Sequence, residues 1–215
     1  MGRVAPAHVA YNTMKRGPQY KIARMVGDRI FPKTQTTKFA ISGMKRRTSK
    51  RPPRPKTEYG LQLLEKQKAR LSYGVTERQF VNYVKKAQTL KGSPIANLFH
   101  LLESRLDNAV FRMGIVHSRT FARQIVSHGH ITVNGRKVRV PSYHVKSGDV
   151  IAVREGSKGS GIIATLEERM KVYTQPAWVA FDPKVLSGKV TGMPIPGAGE
   201  ASINFGTIIE FYSRV

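Results

Sequence analysis

The chain has 215 residues and carries 37 lysines and arginines against 13 aspartates and glutamates, a formal net charge of +24. Its length allows one large domain or two small ones, and a hydrophobic fraction of 40% is too high for wholesale disorder. With no cysteine, a disulfide framework, a thiolate zinc site and a cysteine nucleophile are all excluded.

No apolar run approaches the length of a membrane span, and the opening MGRVAPAHVA lacks the apolar stretch of a signal peptide. Pro6 stands where a myristoylation signal wants Ser or Thr. These features predict a soluble, cytoplasmic protein with no membrane partner and no homo-oligomer, and the lack of an amphipathic Arg/Ser-rich leader favours a bacterial source over an organelle. So large a positive excess implies a polyanionic partner.

The charge is graded along the chain. Residues 1–92 hold 22 basic and 4 acidic residues, residues 93–155 hold 9 and 4, and residues 156–215 hold 6 and 5. Residues 1–56 read as an irregular basic arm, ordered by its partner. Its peak, KRRTSKRPPRPK, places Lys45, Arg46, Arg47, Lys50, Arg51, Arg54 and Lys56 in twelve residues without an acid. Pro52 and Pro53 forbid a helix there, and the segment has nothing apolar to bury. Against phosphates such a stretch gains affinity by releasing counterions.

Three helices are expected next. Glu58 to Leu71 carries Leu61, Leu64 and Leu71 on one side and ends near Tyr73-Gly74. The second opens with Thr76-Glu77-Arg78-Gln79, a capping box, and presents Phe80, Tyr83, Val84 and Ala87 at i, i+3, i+4, i+7. The third runs from Ile95 to Met113, where Leu98, Leu101, Leu102, Leu106, Ala109, Val110 and Met113 keep the 3.6-residue period until Gly114. Residues 57–94 accordingly form a helical domain, and residues 95–215 a second one.

The segment SRTFARQIVSHGHITVNGRKV holds a compact unit at the centre of that second domain, about 103–155. Ser118 is a natural N-cap and Gly129 a natural left-handed C-terminal residue. Phe121, Ala122, Ile125 and Val126 make a buried face, while Arg119, Arg123 and Ser127 line another face directed outward. Ile131–Val133, Asn134-Gly135 and Arg136–Val138 form a hairpin, because Asn-Gly suits a type I′ turn. A turn at Lys146–Asp149 leads into a strand at Val150–Val153. After the loop Glu155 to Gly161, a helix at Ile163–Tyr173 and strands at Trp178–Phe181 and Ile208–Tyr212 are expected, with a surface loop at Thr191–Gly199. The fold class is α+β.

Catalytic signals are sparse. The six histidines form no His-x-x-x-His pair, and neither a Gly-x-x-x-x-Gly-Lys phosphate loop nor a Gly-x-Ser-x-Gly elbow occurs. No cofactor and no metal are expected. Arg105-Leu106-Asp107 does resemble the Arg-Leu-Asp of pseudouridine synthases. In those enzymes, however, the RNA-binding module precedes a larger catalytic domain, whereas about 60 residues follow it here. Ion pairing is the simpler role for Asp107.

Four separated strings carry a family resemblance: YGLQLLEKQKARLSYGVTERQF (Tyr59 to Phe80), LLESRLDNAVFRMG (Leu101 to Gly114), SRTFARQIVSHGHITVNGRKVRVPSYHVKSGDVIAVRE (Ser118 to Glu155) and IEFYSR (Ile209 to Arg214). In that order they closely resemble the bacterial-type ribosomal protein S-four family of the small subunit, over residues 57–215. The resemblance implies a helical first domain, and a second in which helices pack on a small antiparallel sheet. It also implies a C-terminal strand or tail returning toward the first domain. Direct binding of small-subunit ribosomal RNA early in assembly is implied too, with neighbouring small-subunit proteins and messenger RNA, where it enters the subunit, as further partners and an influence on decoding accuracy. Two departures stand out: the N-terminal cysteine cluster of many relatives is missing, and so is their Pro-Gly-Gln-His-Gly element.

A-form RNA admits few side chains into its deep groove, so recognition leans on phosphates, 2′-hydroxyls and junction shape. The expected contacts are Ser118, Arg119 and Arg123 on their helix, His130, Asn134, Arg136 and Lys137 at the hairpin, and Lys66, Lys68, Arg70 and Arg78 on the first helices. Tyr59 is a candidate for stacking on a base or for packing. Arg105 and Arg112 neighbour Glu103 and Asp107 and can pair within their helix. An RNA-modifying enzyme and a free RNA chaperone using the same module are the alternative readings.

Overall fold

The computed structural model describes residues 17–26, 30–44, 55–158, 166–171, 173–196 and 203–214. Within the arm, residues 17–44 are more regular than the expected irregular segment. Helix α1 (Gln19–Val26), a 3-10 turn (Pro32–Gln35) and helix α2 (Thr37–Met44) form a small satellite. Its Ala23 and Phe31 bury against Leu71 of the next helix, and Tyr20 meets Phe39 with ring centroids 5.2 Å apart. Eight-residue helices are too short to display a period, which is why composition alone made the segment look featureless.

Helix α3 (Glu58–Tyr73) begins at Thr57, whose hydroxyl accepts the Gly60 N–H, and ends at Gly74 in the left-handed region. Its buried side matches the expected leucine stripe only in part: Leu71 is buried but Leu61 is exposed, and Gln62, Lys66, Ala69 and Tyr73 face inward. Helix α4 (Glu77–Thr89) opens with the anticipated capping box, Thr76 and Gln79 each bonding the other's backbone N–H. Phe80, Val84 and Ala87 are its buried stripe.

The expected long third helix is two. Helix α5 (Pro94–Glu103) and helix α6 (Leu106–Arg112) are separated at Ser104–Arg105, where Arg105 is extended (φ −68°, ψ 139°) and bridges His144. The broken helical bonds are replaced: Leu106 N–H donates to Tyr143 O at 2.8 Å, Val145 N–H to Ser104 O at 2.8 Å, and the Asn108 amide to Glu103 O at 3.0 Å. The leucine period continues across this break because the helices on either side both turn apolar faces inward. They turn them into different cores.

The first core joins Ala69, Tyr73, Val75, Phe80, Val84, Ala87, Leu98, Leu101, Leu102 and Ile208. Helix α5 therefore packs with α3 and α4, and the two cores meet at Ser104–Arg105. The second core gathers residues of α6, of helix α7 (Arg119–His128) and of the sheet, with Trp178, Phe181 and Leu166.

The sheet consists of β1 (Ile131–Val133), β2 (Arg136–Lys137), β3 (Val150–Val153), β4 (Val179–Asp182) and β5 (Ser187–Val190). Its order is β2-β1-β3-β5-β4, antiparallel throughout, with Ile131 opposite Val153 and Ile151 opposite Gly188. Asn134 (φ 50°) and Gly135 (φ 77°) make the β1–β2 turn, both left-handed as a type I′ turn requires. A short helix α8 (Leu166–Met170) lies within the expected Ile163–Tyr173, of which residues 163–165 and 172 fall outside the described set.

The last element corrects an expectation. Ile208–Tyr212 is not a strand but part of helix α9 (Phe205–Ser213), capped by Asn204, whose side chain accepts the Thr207 N–H. This helix α9 lies on α3 and α5 and buries Ile208 and Phe211. Its alternation of Ile, Phe and Tyr reads equally well as a buried strand or a short helix, and packing on α3 decides.

Candidate nucleic-acid interface

Acidic and basic side chains at the division between the two cores are consumed by one another. The Glu103 carboxylate, fully buried, accepts from Arg112 Nε (2.7 Å) and Nη2 (2.8 Å), from the Asn108 amide (2.7 Å) and from the Tyr73 hydroxyl (2.7 Å). Burial pushes this carboxyl up, but the hydrogen bonds and charge of Arg112, with Arg119 and Tyr73, outweigh it and hold it below the ordinary glutamate range. The Tyr73 phenol is raised well above its usual value, by burial first and then by Glu103.

Arg105, 0% exposed, donates from Nε and Nη2 to the two oxygens of Asp107 at 3.0 and 2.7 Å and from Nη1 to the Tyr83 hydroxyl at 2.7 Å. Both acid–base pairs considered at the outset form, but Glu103–Arg112 joins two helices rather than lying within one. Asp107 has both oxygens occupied and stands behind Arg105, so it acts as a clamp between α6 and α4.

Two arginines expected to face outward are turned inward. The Arg119 guanidinium lies between the rings of Tyr73 (4.8 Å) and Phe111 (4.6 Å). It donates to Asn108 Oδ1 at 2.7 Å and comes within 3.7 Å of Glu103. Arg123 Nη1 donates to Gly74 O at 2.7 Å. Ser118 caps α7, its hydroxyl accepting the Phe121 N–H at 3.2 Å. The two arginines join the module to the end of α3.

The α3 cations are also engaged. Lys66, 9% exposed, donates to Glu77 at 2.8 Å and lies 4.9 Å over the Phe211 ring. Arg70 reaches Gln67 at 2.7 Å and Glu77 at 3.4 Å, and Lys68 is 3.9 Å from Glu65. Asn134 builds its turn, donating to Asp149 and accepting the Val150 N–H, both at 2.8 Å. The helical periodicity located these residues but not the acids and aromatics that the tertiary fold brings to them.

Five further expected residues face solvent. Lys56 and Arg78 are exposed, Tyr59 is 61% exposed with its ring 5.6 Å from Phe211, and Arg136 and Lys137 are exposed on β2. His130 is half-buried and shares a hydrogen bond with Ser157 at 2.9 Å. Lys45, Arg46, Arg47, Lys50, Arg51 and Arg54 lie outside the described residues.

Two exposed cations that the sequence reading passed over, Arg139 and Arg154, stand beside the hairpin. Arg139 was accessible to reasoning, since residues two apart in an extended segment share a face and Lys137 precedes it by two. Arg154 was not, because only the pairing of Ile131 with Val153 brings it there. Among the described residues no group of three or more His, Asp or Glu side chains is arranged to hold a metal ion. No helix among them is long and apolar enough to cross a membrane.

The division between the cores coincides with two family matches: residues 14–103 match the ribosomal protein S4/S9 N-terminal domain, and residues 104–151 the S4 domain. A small ribosomal subunit protein uS4 of Roseiflexus sp. (strain RS-1) is 46% identical over 204 residues, covering 93% of this chain and 98% of that one. The chain belongs to the uS4 family. The uS4 of Listeria monocytogenes serotype 4b (strain F2365) is 43% identical over 92% of this chain and 98% of its own. That of Pelotomaculum thermopropionicum is 49% identical over 74% and 76%. Since uS4 is a non-enzymatic family, the pseudouridine-synthase reading of Asp107 is set aside, in agreement with its pairing to Arg105.

Proposed function

We propose that this chain is a constituent of the small ribosomal subunit that binds small-subunit ribosomal RNA directly and early in assembly. The reading is supported by its relatives, all small ribosomal subunit proteins, and above all by one structural observation. The Glu103–Arg112–Arg119 network fastens the helical domain to the sheet module. The outward cations of the two parts, Lys56 and Arg78 on one and Arg136 and Lys137 on the other, are thereby held at fixed separations.

A rigid spacing of cations selects a folded RNA junction by geometry, where a flexible basic chain discriminates little. The buried arginines contribute by holding that spacing and the exposed ones by meeting phosphate oxygens. The arm around Lys45–Lys56 adds counterion release. In the same reading the protein sits beside neighbouring small-subunit proteins, where messenger RNA enters the subunit, and affects decoding accuracy.

Footprinting of small-subunit ribosomal RNA with the pure protein tests the proposal, together with its affinity against salt. Protection confined to one junction is expected. If about six to ten phosphates are met, affinity falls on the order of 10³–10⁵-fold between 50 and 200 mM salt, by analogy with duplex DNA. Equal binding of random transcripts, or an affinity flat with salt, overturns it. Deletion of residues 1–56 weakens binding while leaving the protected junction unchanged.

A further inference from the structure

At the end of α7 farthest from its Ser118 cap, the chain passes through His128, Gly129 and His130 into β1. Gly129 is left-handed (φ 75°), with its N–H donating to Ile125 O and Val126 O. The side chains of Lys137 and Arg139 lie directly over its backbone: a β-carbon there would collide with the Lys137 Cε and stand 3.2 Å from both Lys137 Nζ and Arg139 Nε. His128 and His130 flank the same spot with ring centroids 6.1 Å apart. The Arg154 backbone N–H donates to His130 O at 2.8 Å, bringing a third strong cation to the rim.

The charged groups around His130 are nearly all of one sign. Helix α7 contributes His128, strand β2 and its continuation contribute Lys137 and Arg139, and the end of β3 contributes Arg154. The turn after β3 adds Glu155 and Lys158, but Glu155 stands in solvent and its nearest cation is Lys158, at 4.0 Å. Among the described residues, Lys137, Arg139 and Arg154 have no carboxylate partner, unlike the arginines of the core division. Like charges gathered without a counter-charge raise the free energy of the empty site and are relieved by an anion.

Arginine forks match phosphate oxygens, and only a glycine at position 129 lets two cationic chains cross the backbone so closely. We propose that His128, His130, Lys137, Arg139 and Arg154 form one binding site for a backbone phosphate of RNA, and that His130 takes up a proton from solvent when the phosphate docks.

The proton follows from the local field. In the free protein, burial and then the charges of His128, Arg154 and Lys137 keep the His130 imidazole below its usual value, and the Lys137 amine is lowered by burial and by Arg139 and Arg154. A docked phosphate reverses the sign of that field. His130 Nδ1 shares a hydrogen bond with the Ser157 hydroxyl; in the tautomer whose Nδ1–H donates to that hydroxyl, Nε2 is bare and the proton enters there, adding a charge-assisted donor. Because the bound form carries the higher affinity for the proton, RNA affinity rises as pH falls through the bound-state value toward the free-state value.

The site rests on the RNA-binding reading above, and the experiment separates the two. Affinity for a small-subunit ribosomal RNA transcript is measured at fixed ionic strength across about pH 8 to 6, for the full chain and for Arg139→Gln, Arg154→Gln and His130→Gln. The wild type is expected to bind roughly three- to tenfold more tightly at the low end, with tenfold per pH unit the ceiling for one linked proton. His130→Gln loses that gain, and each arginine variant lowers the salt slope by about one.

Imidazole proton resonances supply a second readout: the His130 titration midpoint moves upward when RNA is added. Unaltered salt slopes in both arginine variants, or a His130→Gln protein with the wild-type pH dependence, overturn the site while leaving RNA binding standing. A wild type that fails to prefer ribosomal RNA over random transcripts overturns the underlying reading, and the site falls with it.

Discussion

Arg112 Nε donates to Glu103 Oε2 at 2.7 Å, linking the last residue of α6 to the last residue of α5 across the break between them. The carboxylate is wholly buried and the guanidinium mostly so. Removing one partner leaves the other desolvated and unpaired, a loss of about 3–5 kcal/mol. Glu103→Ala is therefore expected to lower the urea midpoint severely. A Glu103→Ala protein with wild-type stability would mean the network is dispensable for joining the cores.

Acid should act through the same group and through Glu77. Glu103 and Glu77 are both held below the ordinary glutamate value of 4.5. In each, burial opposes the shift and is outweighed, at Glu103 by Arg112 and Arg119, at Glu77 by hydrogen bonds from Lys66 and Tyr212. A carboxyl depressed in the folded state contributes stability that is complete above its unfolded value and disappears as pH falls through its folded one. Chemical denaturation is expected to give a plateau above about pH 5 and a steep decline below about pH 4. Glu103→Gln should flatten the decline from a lower plateau.

Two glycine substitutions should differ in size for different reasons. Gly135→Ala meets open space but must hold φ 77°, a strain of about 1 kcal/mol. At Gly188 on β5, whose φ is not positive, the new methyl would stand 2.7 Å from Ala180 O and 2.9 Å from Phe181 Cδ2. Strand backbone cannot swing aside, so Gly188→Ala is expected to cost about 1–3 kcal/mol or more. Thermal melts of the pair would rank them, and the reverse order would contradict this account.

Ile208→Ala tests the returning tail. Ile208 is completely buried among Ala69, Val84 and Leu98 in the first core, so truncation should cost about 2–5 kcal/mol. Hydrogen exchange should show the loosening in α3 and α5, on which α9 packs, and leave the sheet amides near their original protection. Uniform loosening of both cores would point to a single cooperative unit instead.

Much of the fold was readable where a single local interaction decides the outcome. The Thr76 capping box, the Ser118 cap, the Gly129 terminus and the Asn134-Gly135 turn each need only neighbouring residues. The errors share the opposite cause. Arg105 leaves the helical path because Tyr143 and His144, nearly forty residues later, offer it other partners. The exposed face of α7 was expected to carry Arg119 and Arg123, but Tyr73 and Gly74 arrive from another helix and draw both inward. Lys66 passed for a surface charge until Phe211 and Glu77 closed over it. A charged residue in a helix announces its position from sequence, and its partner only when the chain is folded.

The placement of Ile208 also sets a timetable. Synthesis runs from the N-terminus, so α3, α4 and α5 are all made about a hundred residues before the piece that seals them. The Asn204 N–H, which meets Glu65 at 2.9 Å, and the Ile208 side chain arrive only after residue 203 is made. A product released early keeps an open apolar trough on its helical half and lacks the latch that would shut it.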